Sequence, residues 1–219
     1  NSGDGEKTEQ QIVLPEVIAP TIIGKDHQNV HDVEFLTGVR IHAGESVMTI
    51  EGTSESVEYA VRLIRSKMEA VGQLATDKPR ETFEIPVAAI PIFGEKNDIS
   101  GRSELQRIQA ETGTMSMVVM KGLDLRKRMV KIFGDPSQCK EAKQRLMEIV
   151  DSVNAESITV RLDEYTDEKL SSNVMKARLF ENIKEFSELS RTSMIVRQDT
   201  VEIYGDQRYI DESRGVMDD

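Results

Sequence analysis

The chain has no tryptophan, one cysteine, three histidines and an aromatic share of 5%. Each scarcity removes a class of function. With Cys139 alone, neither an intrachain disulfide nor a thiolate-rich zinc site can be built, so a reducing, cytoplasmic setting is expected. His27, His31 and His42 are too few and too unaccompanied for a metal centre, and no metal or cofactor is expected. No stretch approaches the roughly 18 uninterrupted apolar residues of a membrane span. The start, Asn1-Ser2-Gly3-Asp4-Gly5, is polar and acidic rather than a signal peptide, so no membrane partner is expected. The sequence also lacks a P-loop, a dinucleotide fingerprint, a Gly-x-Ser-x-Gly elbow and a helical pair of metal ligands. Its Asp and Glu residues lie in charge-mixed segments where solvation accounts for them, so binding rather than catalysis is expected.

What remains is an ordinary globular composition, 38% apolar and 31% charged over 219 residues, long enough for one large domain or several small ones. The net charge of −11 disfavours broad affinity for nucleic acid. Its distribution is uneven. Residues 1–76 carry 6 basic against 12 acidic side chains, residues 77–150 carry 13 against 11, and residues 151–219 carry 9 against 16. The middle third alone suits a polyanion by charge.

An internal repeat is the strongest pattern. Met48-Thr49-Ile50-Glu51-Gly52, Val130-Lys131-Ile132-Phe133-Gly134 and Val201-Glu202-Ile203-Tyr204-Gly205 each read as a strand that stops at a glycine. A helix is expected after each glycine. Val57, Ala60 and Ile64 in the first copy match Cys139, Ala142 and Leu146 in the second and Ile210, Ser213 and Met217 in the third, at the spacing of one helical face. Thr53-Ser54 and Asp135-Pro136 supply capping chemistry, and Cys139 is expected to be a core residue. Upstream, Val30, Val33 and Thr37-Gly38 match Leu105, Ile108 and Thr112-Gly113 as a short helix closed by glycine. Phe186, Leu189 and Thr192-Ser193 match more loosely. Strands are expected at residues 39–41, 115–119 and 194–196, and opening strands ending in Pro15 and Pro86.

The order is β-α-α-β-β-α, an α+β fold of three units. The boundaries read as a polar tail at 1–10, a first unit at 11–72, a linker at 73–80, a second unit at 81–153 and a third at 156–219. Closing helices are expected at residues 54–71 and 136–153. The last is expected to run past Asp219, so the third unit reads as truncated and the chain as a fragment. The short linker leads us to expect contact between the first two units.

Ile22-Ile23-Gly24-Lys25-Asp26-His27-Gln28-Asn29-Val30, running on to Thr37-Gly38-Val39-Arg40-Ile41, resembles the centre of a eukaryotic-type KH domain. The family pattern is Ile-Ile-Gly-x-x-Gly followed by Thr-Gly-Ala-x-Ile. The resemblance implies a three-stranded antiparallel sheet packed on three helices in each unit. It also implies a GXXG loop that clamps the backbone of about four nucleotides of single-stranded RNA. Every copy departs from the pattern. His27 replaces the second glycine; the second copy has Ile99-Ser100-Gly101-Arg102 with Gly94 displaced and an insertion at 95–98; the third has Leu179, Phe180, Glu181 and Asn182. A tandem array of intact and degenerate KH units is similar to the Bicaudal-C group of post-transcriptional regulators. That implies control of translation or polyadenylation in germline or embryonic cells, with protein partners including a cytoplasmic poly(A) polymerase.

The candidate RNA-binding residues are Gly24, Lys25 and Arg40 in the first copy and Gly101, Arg102, Arg107, Lys121, Arg126, Lys127, Arg128 and Lys131 in the second. His31 and His42 lie near the first set in sequence, but Asp26 and Asp32 offset Lys25 and the His27 ring obstructs close approach. Residues 121–131 read as a basic hairpin tip, either a phosphate site or a solvated turn. Asp163-Glu164-Tyr165-Thr166-Asp167-Glu168 opposes RNA in the third copy, where Phe180, Ile183, Phe186 and Leu189 read as core or as a protein groove. Met115, Met117 and Met120 leave the same two options open. Three functions follow: a protein-binding platform of a messenger-RNA regulator with limited RNA contact, a single-stranded RNA binder working through the middle unit, or a homo-oligomerising scaffold.

Overall fold

The computed structural model describes residues 7–96, 101–120, 122, 124–161, 183, 185–197 and 200–217, with side chains up to residue 212. The first copy consists of β1 (Lys7–Val13), α1 (Ala19–Ile23), α2 (Gln28–Thr37), β2 (Arg40–Ala43), β3 (Val47–Thr53) and α3 (Ser54–Ala75). The second has β4 (Glu81–Pro86), α4 (Ile90–Gly94), α5 (Glu104–Thr112), β5 (Met115–Val119), β6 (Lys127–Phe133) and α6 (Pro136–Ser152). In the third lie β7 (Ala155–Arg161), β8 (Ser193–Val196), β9 (Thr200–Asp206) and α7 (Gln207–Met217), with a helical stretch at residues 185–190. Strand orders β1-β3-β2, β4-β6-β5 and β7-β9-β8 repeat one topology three times, as the α+β reading expected.

In the first copy the antiparallel register sets Ile12 opposite Met48 and Ile41 opposite Ile50. Strand alternation sends these four to one face of the sheet, where they pack with Leu14, Ile22, Val30, Val57, Ala60 and Ile64. Thr53 Oγ1 accepts the Ser56 N–H at 3.3 Å and caps α3 as expected. Gly38 closes α2 at φ 76°, and its counterpart Gly113 follows α5 at φ 64°.

Several boundaries differ from the sequence reading. β1 begins at Lys7, inside the expected tail, because β3 continues to Thr53 and provides pairing partners out to Lys7. Gly52 does not stop its strand. Its missing side chain admits Val39, whose Cγ1 would lie 3.1 Å from a Cβ at position 52. Gly134 and Gly205 admit Thr114 and Thr192 in the same manner. That correspondence corrects the register of the third copy: Thr192 is equivalent to Val39 and Thr114, so Ser190-Arg191, not Thr192-Ser193, stands for Thr-Gly. Ser190 Oγ donates to Phe186 O as Thr37 Oγ1 donates to Val33 O and Thr112 Oγ1 to Ile108 O. Arg191 takes the left-handed turn at φ 51°.

Contacts divide the chain into two compact units that cut across the repeats. One holds residues 1–83, 105–118 and 130–146; the other holds residues 84–104, 119–129 and 147–219. Within the first unit α3 runs to Ala75, through the first three residues of the expected linker, because it has a second buried stripe at Leu63, Ser66 and Ala70. Gln73 continues that stripe: its amide accepts Gly134 N–H at 2.9 Å and donates to Gly134 O at 3.2 Å. Asp135 N donates to Ser66 Oγ at 3.1 Å, and a Cβ at Gly113 would stand 2.4 Å from Leu63 O. The first and second copies therefore touch, as the short linker implied. Cys139 is fully buried there, and burial pushes its thiol up to about 12, so it is a core residue.

In the second unit Asp206 caps the start of α7. Its carboxylate accepts Arg208 N–H and Nε at 3.1 and 2.8 Å and Asn154 N–H at 3.2 Å. The Arg208 hydrogen bond holds this carboxyl below the usual carboxylate range.

Candidate nucleic-acid interface

α1 carries Pro20 in its first turn and buries Ala19 and Ile22. Gly24 ends it at φ 79°, donating its N–H to Pro20 O at 2.9 Å. Asn29 lies directly beneath, its Nδ2 donating to Thr21 O at 2.9 Å, and a Cβ at position 24 would come within 2.8 Å of Asn29 Cγ. Both the backbone angle and the space therefore require glycine at position 24. Lys25, Asp26 and His27 form an exposed turn before α2. Asp26 and His27 take φ of 51° and 58°, in the left-handed region that Asp and His enter more readily than most side chains. The turn thus ends in left-handed backbone, the region a glycine enters without strain, with an imidazole at its last position.

The other basic residues of this copy do not join Lys25. Arg40 and His42 flank buried Ile41 on β2, so the pleat directs both to the face of the sheet away from the core. There Arg40 lies opposite Glu51 in the strand register. His31 pairs with Glu34 at 3.3 Å.

Glu34 was missed in the sequence reading. Its Oε1 accepts the Ile41 N–H at 2.7 Å, satisfying one outward donor on the edge strand β2. Gln109 does the same for Ser116 N–H at 2.8 Å in the second copy. The signal was available, since a polar acceptor follows both Val33 and Ile108.

In the second copy α4 and α5 are separated by residues 95–103, where the first copy has only Gly24–His27 between its helices. An antiparallel bridge between Lys96 and Ser103 closes the base of this insertion. Gly101 takes φ 65° and Arg102 is half-buried, while Ile99 and Ser100 lie outside the described residues. Lys121 also lies outside them. The remaining basic side chains are engaged. Arg107 pairs with Glu111, which also holds Arg145; Lys131 meets Asp77 at 2.6 Å; Lys127 meets Glu84 at 3.4 Å; and Arg126 lies 3.8 Å from Glu202. Arg128 turns back on its own hairpin, donating to Leu125 O and Lys127 O at 2.7 and 2.8 Å. At the tip expected to present a positive patch, Arg126, Lys127 and Lys131 thus each meet a carboxylate from distant sequence. Met117 and Met120 are exposed, while Met115 is half-buried.

The third copy's Leu179–Asn182 segment, Phe180 included, and its acidic 163–168 stretch lie outside the described residues. Ile183 is half-buried, whereas Phe186 and Leu189 are exposed, so the apolar series does not form one core face. Glu202 takes the Tyr204 hydroxyl at 2.8 Å and Arg197 Nε at 3.5 Å, and the Tyr204 bond holds its carboxyl low. Among the described residues no group of three His, Cys, Asp or Glu side chains could hold a metal ion, and no helix is long and apolar enough to cross a membrane.

Comparison with known proteins places the first copy. No curated protein matches the chain. Among solved structures, Dim2p from Pyrococcus horikoshii OT3 is 13% identical over 95% of this chain and 87% of that one, with a TM-score of 0.25. The a/eIF2alpha-aDim2p-rRNA complex from the same organism is 14% identical over 97% and 84%, with a TM-score of 0.26. APE0754, a protein of unknown function from Aeropyrum pernix, is 16% identical over 85% and 98%, with a TM-score of 0.29. The KH domain model matches residues 9–66, the span from β1 into α3 that carries the Gly24–His27 turn. Residues 9–66 are a KH domain.

Proposed function

We propose that the chain is a non-catalytic module that holds single-stranded RNA at the Gly24–His27 turn of its KH domain, while the second and third copies serve mainly as a protein-binding platform. The observation that carries this reading is the turn itself. Gly24, Asp26 and His27 all have positive φ and Lys25 is exposed between two helices, in a family that grips nucleotide backbone at this place. The paired state of Arg126, Lys127 and Lys131 favours the first copy over the basic hairpin as the RNA contact. The resemblance to the Bicaudal-C group supplies the cellular setting of the proposal. In that setting the chain regulates translation or polyadenylation of messenger RNA in the cytoplasm, alongside a poly(A) polymerase and other proteins.

Fluorescence anisotropy with short single-stranded RNA pools at physiological salt tests the RNA half of this reading. Lys25→Asp removes one phosphate contact and adds a repulsion, and is expected to weaken binding by about tenfold or more. A triple reversal to Glu at Arg126, Lys127 and Arg128 is expected to leave most of the affinity. The opposite pattern would move the RNA site to the second copy.

A further inference from the structure

Phe35 lies on α2 with 90% of its surface exposed, although it belongs to a helix whose Val30 is fully buried. It does not stand alone on that surface. His31 and Phe35 are four residues apart on α2, which places Phe35 about one turn and 6 Å beyond His31 along the axis, and His27 caps the start of that helix. All three are exposed. The first two have ring centroids 6.4 Å apart. The row starts at the last residue of the Gly24–His27 turn and runs along the outer face of α2.

We infer that this row of rings is a base-stacking platform that extends the RNA path beyond the KH turn, with Phe35 taking a nucleobase on its face. The inference rests on the loop reading above. Three observations favour a nucleobase over a protein surface as the occupant. A protein contact needs a contiguous apolar patch, usually of several hundred Å². Phe35 is instead an isolated phenyl ring among polar positions, with Gln28 and His31 sharing its exposed face. One ring presents about the area of one base, and stacking needs no particular sequence because every base has a π-face. The row is also continuous with the turn, so a strand held at Lys25 meets it without a gap. Two of the nearby carboxylates are engaged: Asp32 accepts the Gln28 amide at 3.0 Å, and Glu34 accepts Ile41 N–H and meets His31, while Asp26 stays exposed in the turn beside Lys25.

The test titrates the full chain with fluorescein-labelled tetramer and octamer RNA pools of random sequence. A tetramer fills the KH turn, which spans about four nucleotides, and an octamer reaches beyond it. Phe35→Ala is expected to weaken octamer binding roughly tenfold, the stacking of one base, and to leave tetramer binding unchanged. Phe35→Trp should restore the octamer affinity. Because the side chain is exposed, the variants should keep the wild-type thermal midpoint, measured alongside. Unchanged octamer binding by Phe35→Ala, with both lengths weakened by Lys25→Asp, would overturn the platform, leave the loop reading standing and point to a protein partner for the ring. Equal loss at both lengths would also overturn it, since the ring would then act within the turn. Absence of binding by either RNA would bring down both readings.

Discussion

His27 occupies a backbone geometry that a side chain enters at a cost. Left-handed φ costs an L-residue about 1–2 kcal/mol, and glycine recovers that while losing part of it to a freer unfolded chain. His27→Gly is therefore expected to stabilise the first copy by up to about 1 kcal/mol, raising its urea midpoint at unchanged slope. It should also tighten binding of a tetramer RNA, which is confined to the turn, by removing the ring from the phosphate approach. A lower midpoint would mean that the imidazole's contact with His31 outweighs the backbone strain. The sequence showed that the second glycine was missing, and from that the loop read as obstructed. It did not show that Asp26 and His27 both adopt the turn's left-handed course, because propensity alone does not reveal which strained angles surrounding packing enforces. Cys139 was legible from its place in a helical period, and Phe35 was not singled out because one exposed apolar residue is unremarkable until its neighbours at i−4 and i−8 are noticed.

At the level of elements, α3 shows what a period can and cannot disclose. The stripe Val57, Ala60 and Ile64 was readable because it faces a sheet built from neighbouring sequence. The opposite stripe was not, since its partners Gly113, Gly134 and Asp135 lie far along the chain and a glycine gives no apolar signal. Gln73, read as the start of a linker, is instead bonded to both polar groups of the Gly134 peptide. Gln73→Ala leaves that donor and acceptor without their partner and should cost about 1–3 kcal/mol, read by urea denaturation of the full chain. An unchanged midpoint would show that Gln73 only follows contacts held by Leu63 and Ser66. The third copy's register slipped by two residues in the sequence reading for a related reason. Ser190-Arg191 performs the Thr-Gly role without a glycine, and its identity emerges from the Ser190 to Phe186 hydrogen bond and the close fit of Thr192 to Gly205.

Across the whole chain, charge and geometry point to different copies. The net sums, +2 for residues 77–150 against −6 for residues 1–76, direct attention to the middle of the sequence. Yet the basic side chains there are largely matched to carboxylates, whereas the first copy keeps the KH turn with Lys25 exposed. A linear count could not anticipate this, because ion pairs such as Lys131 with Asp77 and Arg126 with Glu202 join residues from distant positions. The proposed RNA contact therefore rests on local backbone geometry rather than on summed charge. The most direct test is ultraviolet crosslinking of the full chain to a short RNA bearing 4-thiouridine, followed by mass spectrometry of the modified peptides. Adducts on the segment containing Lys25, Asp26 and His27 are the predicted result, and adducts confined to residues 124–131 would contradict it.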